Sequence, residues 1–100
     1  MRFQLLKGYQ QPISIAVVAR NLGAFRDWKI TNYGVQTDDT ICKFVRNNQT
    51  YHAITMVDHL IGRRFNHVLV CEGAEGNLCY NNIMRNLPMC LTGNFGVYNI

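Results

Sequence analysis

The strongest constraint on the fold is a seven-residue run, Ile13 to Ala19 (ISIAVVA), interrupted only by Ser14 and followed at once by Arg20-Asn21. Nearly continuous apolar, β-branched sequence of that length suits a strand buried on both faces of a sheet. Asn21 is a strong helix N-cap, because its side-chain oxygen can accept a backbone N–H of the first turn. Leu22, Phe25, Trp28 and Lys29 then recur at helical spacing, and Asn32 to Gly34 supplies the stop, with Gly34 suited to the left-handed position after a helix. The opening of the chain therefore reads strand, tight turn, helix.

The remainder continues the alternation. Phe3 to Leu6 suits a short edge strand, and Gln36 to Thr40 a polar loop. Ile41 to Arg46 reads as a second strand, Asn47-Asn48 as a turn, and Tyr51 to Thr55 as a strand that either pairs back as a hairpin or lies elsewhere in a parallel sheet. Met56 to Ile61 reads as a short helix ended by Gly62, and Phe65 to Cys71 as a further apolar strand. A loop over Gly73 to Asn77, a helix over Leu78 to Leu87 stopped by Pro88, and a final strand within Leu91 to Ile100 complete the pattern. Strands alternating with helices predict an α/β fold: a small Rossmann-like sheet of four to five strands with two to three helices, in one domain spanning 1–100. Ile15, Val17, Phe25, Val68 and Val70 are expected to share one core.

Hydrophobic residues make up 48% of the chain and charged residues 16%, which is enough for a core but leaves few charges to cover the surface. Neutral or apolar surface must then face outward, and a partner interface or a homodimer is one place for it. The net charge of +4 favours approach to nucleic acid, an anionic membrane or an acidic protein surface, yet the basic residues are scattered, with Arg63-Arg64 their longest run, and read as ordinary solubilising charge. Met1 to Tyr9 carries Arg2, Gln4 and Lys7 in place of an apolar leader segment, and the longest apolar stretch is too short to cross a bilayer. The expectation is a cytoplasmic protein with no membrane partner, in which Cys42, Cys71, Cys79 and Cys90 are free thiols and the Asn48-Gln49-Thr50 sequon is silent.

The segment from Tyr51 to Glu72 carries an Ile-Thr-x-x-Asp-x-Leu-x-Gly-Arg-Arg-Phe pattern, then an apolar strand closed by an acidic residue. It resembles the middle of P-loop ATPases of the helicase and terminase kind, and a set of short phage-encoded Rossmann-like proteins. That resemblance implies a viral, bacteriophage origin and a Mg²⁺-organising role for the carboxylate at Glu72. The nucleotide-binding half of the pattern is missing, however. The first strand runs into Ala19-Arg20-Asn21-Leu22-Gly23-Ala24 in place of a phosphate-cradling GxxxxGK[ST] loop, and GxGxxG is absent too. Glu72 then reads as a solvated loop carboxylate.

No catalytic motif is complete. His67 and Cys71 lie four apart on one predicted strand, on the same face but ~13 Å apart, too far for imidazole to take the thiol proton. The cysteine and histidine spacings lack the pairs of structural zinc sites, so neither metal nor cofactor is expected. Trp28 is either core or, if exposed, an interface anchor. The reading is a small non-enzymatic binding or regulatory protein, a phage accessory or inhibitor that binds a host macromolecule, most naturally a protein. The alternative is a nucleotide- or nucleic-acid-binding domain. Arg20, Asn21, Arg63, Arg64 and Glu72 are the candidate binding residues, and Arg63-Arg64 would join Arg20 on an anion if their strand ends are adjacent.

Overall fold

The computed structural model describes residues 13–92 and the backbone of 97–99. The expected edge strand over Phe3 to Leu6 lies outside these residues. Five strands, β1 (Ile13–Val18), β2 (Lys43–Arg46), β3 (Gln49–Ile54), β4 (His67–Val70) and β5 (Val97–Asn99), form one sheet in the order β2-β3-β1-β4-β5. β1 pairs in parallel with both β3 and β4, β4 pairs in parallel with β5, and β2 is an antiparallel edge against β3. Two α-helices accompany the sheet, α1 (Leu22–Tyr33) and α2 (Tyr80–Asn86). The fold is therefore α/β with a mixed sheet. Among the described residues, the hairpin pairing of β2 and β3 supplies the antiparallel ladder.

Central position explains the composition of β1. It is hydrogen-bonded on both edges and covered on both faces, so five of its six residues are buried and only Ser14 is partly exposed. Alternation sends Ile13, Ile15 and Val17 to one face, with Phe25 of α1 packed against them. It sends Ala16 and Val18 to the other, where they meet Val68, Val70 and the α2 residue Ile83. The expected single core is thus two cores divided by the sheet. Ile15, Val17 and Phe25 belong to one, Val68 and Val70 to the other.

The α1 side is filled by rings. Phe44 and Tyr51, cross-strand partners on β2 and β3, stack with centroids 4.6 Å apart and planes at 6°. Trp28 and Tyr33 lean onto this pair from the helix, so Trp28 packs within the cluster and is not an exposed anchor.

Asn21 caps α1 as its chemistry dictates, accepting from the Ala24 amide at 2.8 Å, and Gly34 ends the helix at φ 74°. Asn47 (φ 53°) and Asn48 (φ 64°) both take left-handed conformations, as a two-residue hairpin turn compatible with sheet twist requires. Elsewhere the elements are shorter than expected. Val57–Leu60 is a 3₁₀ turn, and the strand over Phe65 to Cys71 contracts to four residues, with Phe65 held by a lone bridge to Leu91. Pro88 stops the α-helix as expected, α2 ending at Asn86, though a 3₁₀ turn follows. It occupies the first turn of a 3₁₀ segment, Leu87–Cys90, where a missing N–H costs nothing.

Candidate functional site

The candidate residues divide between the two ends of the sheet. Arg20 and Asn21 follow β1, and Glu72 follows β4, its parallel neighbour, so all three lie at the carboxyl ends of the central strands. Open α/β sheets commonly bind ligands there, between strands whose connections leave in opposite directions. In this protein that crevice is occupied by its own loop. The side-chain amide of Asn77 donates to the terminal carbonyls of β3 and β1, at Thr55 (2.8 Å) and Ala19 (3.2 Å). Its oxygen accepts from the Cys79 amide at 2.7 Å. The Arg20 side chain crosses Gly76 in the preceding 3₁₀ turn, where a Cβ would meet its Cδ and Nε at 3.4 Å. Asn21 is engaged in the helix cap, and Glu72 faces solvent.

Arg63 and Arg64 precede β4 and therefore sit towards the amino ends of the parallel strands, about a strand length from Arg20, on the order of 20 Å. The sheet does not bring the two groups together.

What joins Arg63 and Arg64 instead is a patch of the sheet face. On the α2 side, alternation presents Ser14 of β1, Lys43 of β2 and His52 of β3, while α2 packs over the β1–β4 half and leaves the β2–β3 half open. Lys43 lies directly opposite His52 in the antiparallel register. Together with Thr40, Cys42, Arg63, Arg64 and Phe65 these residues line a concavity of about 580 Å³, with no carboxylate among its described lining residues. His52 stands edge-on to the buried Phe65 ring at 5.6 Å, and its Nδ1 is 3.4 Å from Arg63 Nη1. Burial, then the charges of Arg63 and Lys43, push this imidazole below its usual range, so it is neutral at pH 7. Arg64 donates to the Met89 carbonyl at 3.3 Å.

A second groove adjoins the first across the same two arginines. Its lining includes Leu60, Ile61, Met89 and Cys90, and both Ile61 (71% exposed) and Met89 (73% exposed) offer most of their apolar surface to solvent. The basic concavity and the apolar groove form one continuous surface with Arg63-Arg64 as their divide.

Among the described residues, the ion pairs centre on Asp39. Asp39 accepts a two-pronged contact from Arg46 at 2.8 and 2.9 Å, an amide bond from Gln36 at 3.0 Å, and an ion pair from Lys29 at 3.4 Å. The Arg46 guanidinium holds its carboxyl well below the usual carboxylate range. This triad pins the Gln36–Thr40 loop between α1 and the hairpin. The four cysteines carry no disulfide, and burial raises the Cys71 thiol to about 11, which suits an inert core thiol and not a nucleophile. Among the described residues, no three or more His, Cys, Asp or Glu side chains gather into a metal-binding group, and no helix is long and apolar enough to cross a membrane.

Lys43 and His52 are absent from the sequence-based expectation because neither stands in a recognisable motif. The available signal is the Asn47-Asn48 turn. Once the hairpin closes there, Lys43 and His52 are equidistant from it and must pair on one face. Comparison with known proteins finds no matching family model, no matching curated protein and no matching solved structure.

Proposed function

We propose that this chain is a non-enzymatic binding protein that engages an acidic protein surface through the open β2–β3 face and the neighbouring groove. The observation that carries this reading is the concentration of Lys43, Arg63 and Arg64 around one concavity with no carboxylate among its described lining residues. The ion pairs of the described residues are those of Asp39 with Lys29 and Arg46, so these three cations are not neutralised by them. Uncompensated charge around a low-dielectric depression attracts acidic groups and speeds their approach.

A protein partner is favoured over nucleic acid by what surrounds the cations. Single-stranded nucleic acid is held by aromatic rings on which bases stack. Here Phe65 is buried, and Phe25, Trp28, Tyr33, Phe44 and Tyr51 pack together on the opposite side of the sheet. Ile61 and Met89, exposed beside the arginines, give a protein partner apolar area to cover. Arginine supplies planar, two-pronged donors that match carboxylates.

The test is a comparison of the wild-type chain with Arg63→Ala/Arg64→Ala, binding a fluorescent glutamate-rich peptide that carries a leucine pair and, separately, a single-stranded oligonucleotide. The double variant keeps its thermal midpoint and loses more than tenfold in peptide affinity, equivalent to ~1.4 kcal/mol. Equal peptide affinity in both proteins, or an oligonucleotide bound more tightly than the peptide at matched salt, contradicts the reading.

A further inference from the structure

Three features distinguish the concavity from an ordinary basic surface. First, its cations come from separate elements: Lys43 from β2, Arg63 and Arg64 from the segment before β4. Several cations around one concavity suit a compact, multiply charged ligand. Second, an imidazole stands among them. His52 is half-buried, braced by the Phe65 ring and opposite Lys43, with Nδ1 3.4 Å from Arg63 Nη1. Third, the groups around it are neutral or cationic. Ser14, Thr40 and Cys42 complete the lining, and Thr40 is oriented by its hydroxyl donating to the Lys43 carbonyl at 3.2 Å.

From this arrangement we infer that the concavity is a discrete site for a tetrahedral dianion, a phosphoryl group carried on a side chain of the partner protein, held by Lys43, Arg63 and Arg64 with His52 as a fourth donor. This rests on the reading of the same face as an acidic-protein site and names the group it recognises. A phosphoryl group offers several oxygens to donors approaching from different sides, whereas a single carboxylate is planar and satisfied by one guanidinium.

Proton uptake follows from the same geometry. Burial, Arg63 and Lys43 all disfavour the His52 cation, and its Nδ1 can accept from Arg63. A bound dianion reverses the local field, so His52 takes a proton and both ring nitrogens become donors. Arg64 and Cys42 are the other charged or titratable groups among the described lining residues. His59, in the turn before Arg63, accepts the Thr55 amide at Nδ1 and already has its own partner.

The experiment is an NMR titration of the intact protein, following the His52 ring and the backbone amides with inorganic phosphate, with sulfate (which stays doubly charged as pH is varied), with malonate, and with a glutamate-rich peptide. Phosphate and sulfate are expected to move His52 and its neighbours along one saturable curve, malonate to bind more weakly, and sulfate to raise the pH midpoint of His52. Arg63→Gln, an exposed change that leaves the fold intact, weakens phosphate about tenfold, equivalent to ~1.4 kcal/mol. Malonate binding as tightly as phosphate, or no saturable shift at His52 with either tetrahedral anion, overturns the inference. If the peptide still perturbs this face in that case, the acidic-surface reading survives alone. If the peptide fails there as well, both fall.

Discussion

Asn77 donates its side-chain amide to the main-chain carbonyl of Thr55 at 2.8 Å, fastening the loop after β4 onto the end of β3. The same amide reaches Ala19 at 3.2 Å, so one side chain ties the carboxyl ends of two strands that are neighbours in the sheet. Asn77→Ala leaves both carbonyls and the Cys79 amide without these partners and should cost about 1–3 kcal/mol. Asn77→Asp should cost at least as much, since a carboxylate places acceptors where donors are needed. Urea denaturation of the two variants measures this. A wild-type midpoint for Asn77→Asp would show that the loop is not fastened in this way.

The Asp39 triad makes a signed statement about acid. Its carboxyl is held below the ordinary range by Arg46, so its folded value lies beneath its unfolded value near ~3.9. The stability it contributes is fully present above the unfolded value and is lost as pH falls through and below it. Asp39→Asn should lower stability at pH 7 by about 2 kcal/mol, the order expected for losing charge-assisted hydrogen bonds to a carboxylate. The variant's stability should then change less than wild type between pH 5 and acid. Parallel pH profiles for the two proteins would contradict this account.

The hairpin turn gives a local test. Asn47 and Asn48 both have positive φ, a conformation that Asn tolerates and Ala resists by about 1–2 kcal/mol. Asn48→Ala should lower stability by about that amount, whereas Asn48→Gly should not. Thermal melts distinguish the two, and equal losses would mean that the Asn48 side chain, not its backbone, matters at this turn.

The thiols should react in the order of their burial. Cys42 is exposed and Cys71 buried with its thiol raised to about 11, so alkylation of the native protein at neutral pH should label Cys42 first and Cys71 last. Peptide mapping after a short pulse of iodoacetamide reads this directly. Early labelling of Cys71 would contradict its place in the core.

The parts of the fold that are legible in the sequence are those whose cause is local. Ile13 to Val18 reads as a central strand because only burial on two faces explains such a run, and the cap at Asn21 and stop at Gly34 are chemistry of single residues. The split core is not legible in the same way, because Val17 and Val68 are both ordinary strand valines and only the side taken by each helix assigns them to opposite faces. Pro88 is legible as a helix stop, since α2 ends at Asn86, but the 3₁₀ turn that follows is not, because proline also fits the first turn of a new segment. Of the site, Arg63 and Arg64 are visible as the longest basic run, while Lys43 and His52 enter through the register of the hairpin and the helix-free half of the face. Arg20 and Glu72 draw attention through their places after strands, yet it is Asn77, undistinguished in the sequence, that bonds the carboxyl ends of β1 and β3.

The central claim, that this protein binds acidic partners on the open β2–β3 face and not at the carboxyl ends of its strands, is tested most directly by amide chemical-shift mapping with a glutamate-rich peptide. The account predicts saturable shifts confined to Thr40 to Lys43, His52 and Ile61 to Phe65, weakening as salt screens the exposed charges. Shifts centred on Arg20 to Leu22 and Glu72 to Asn77, or spread evenly over every surface cation, would contradict it.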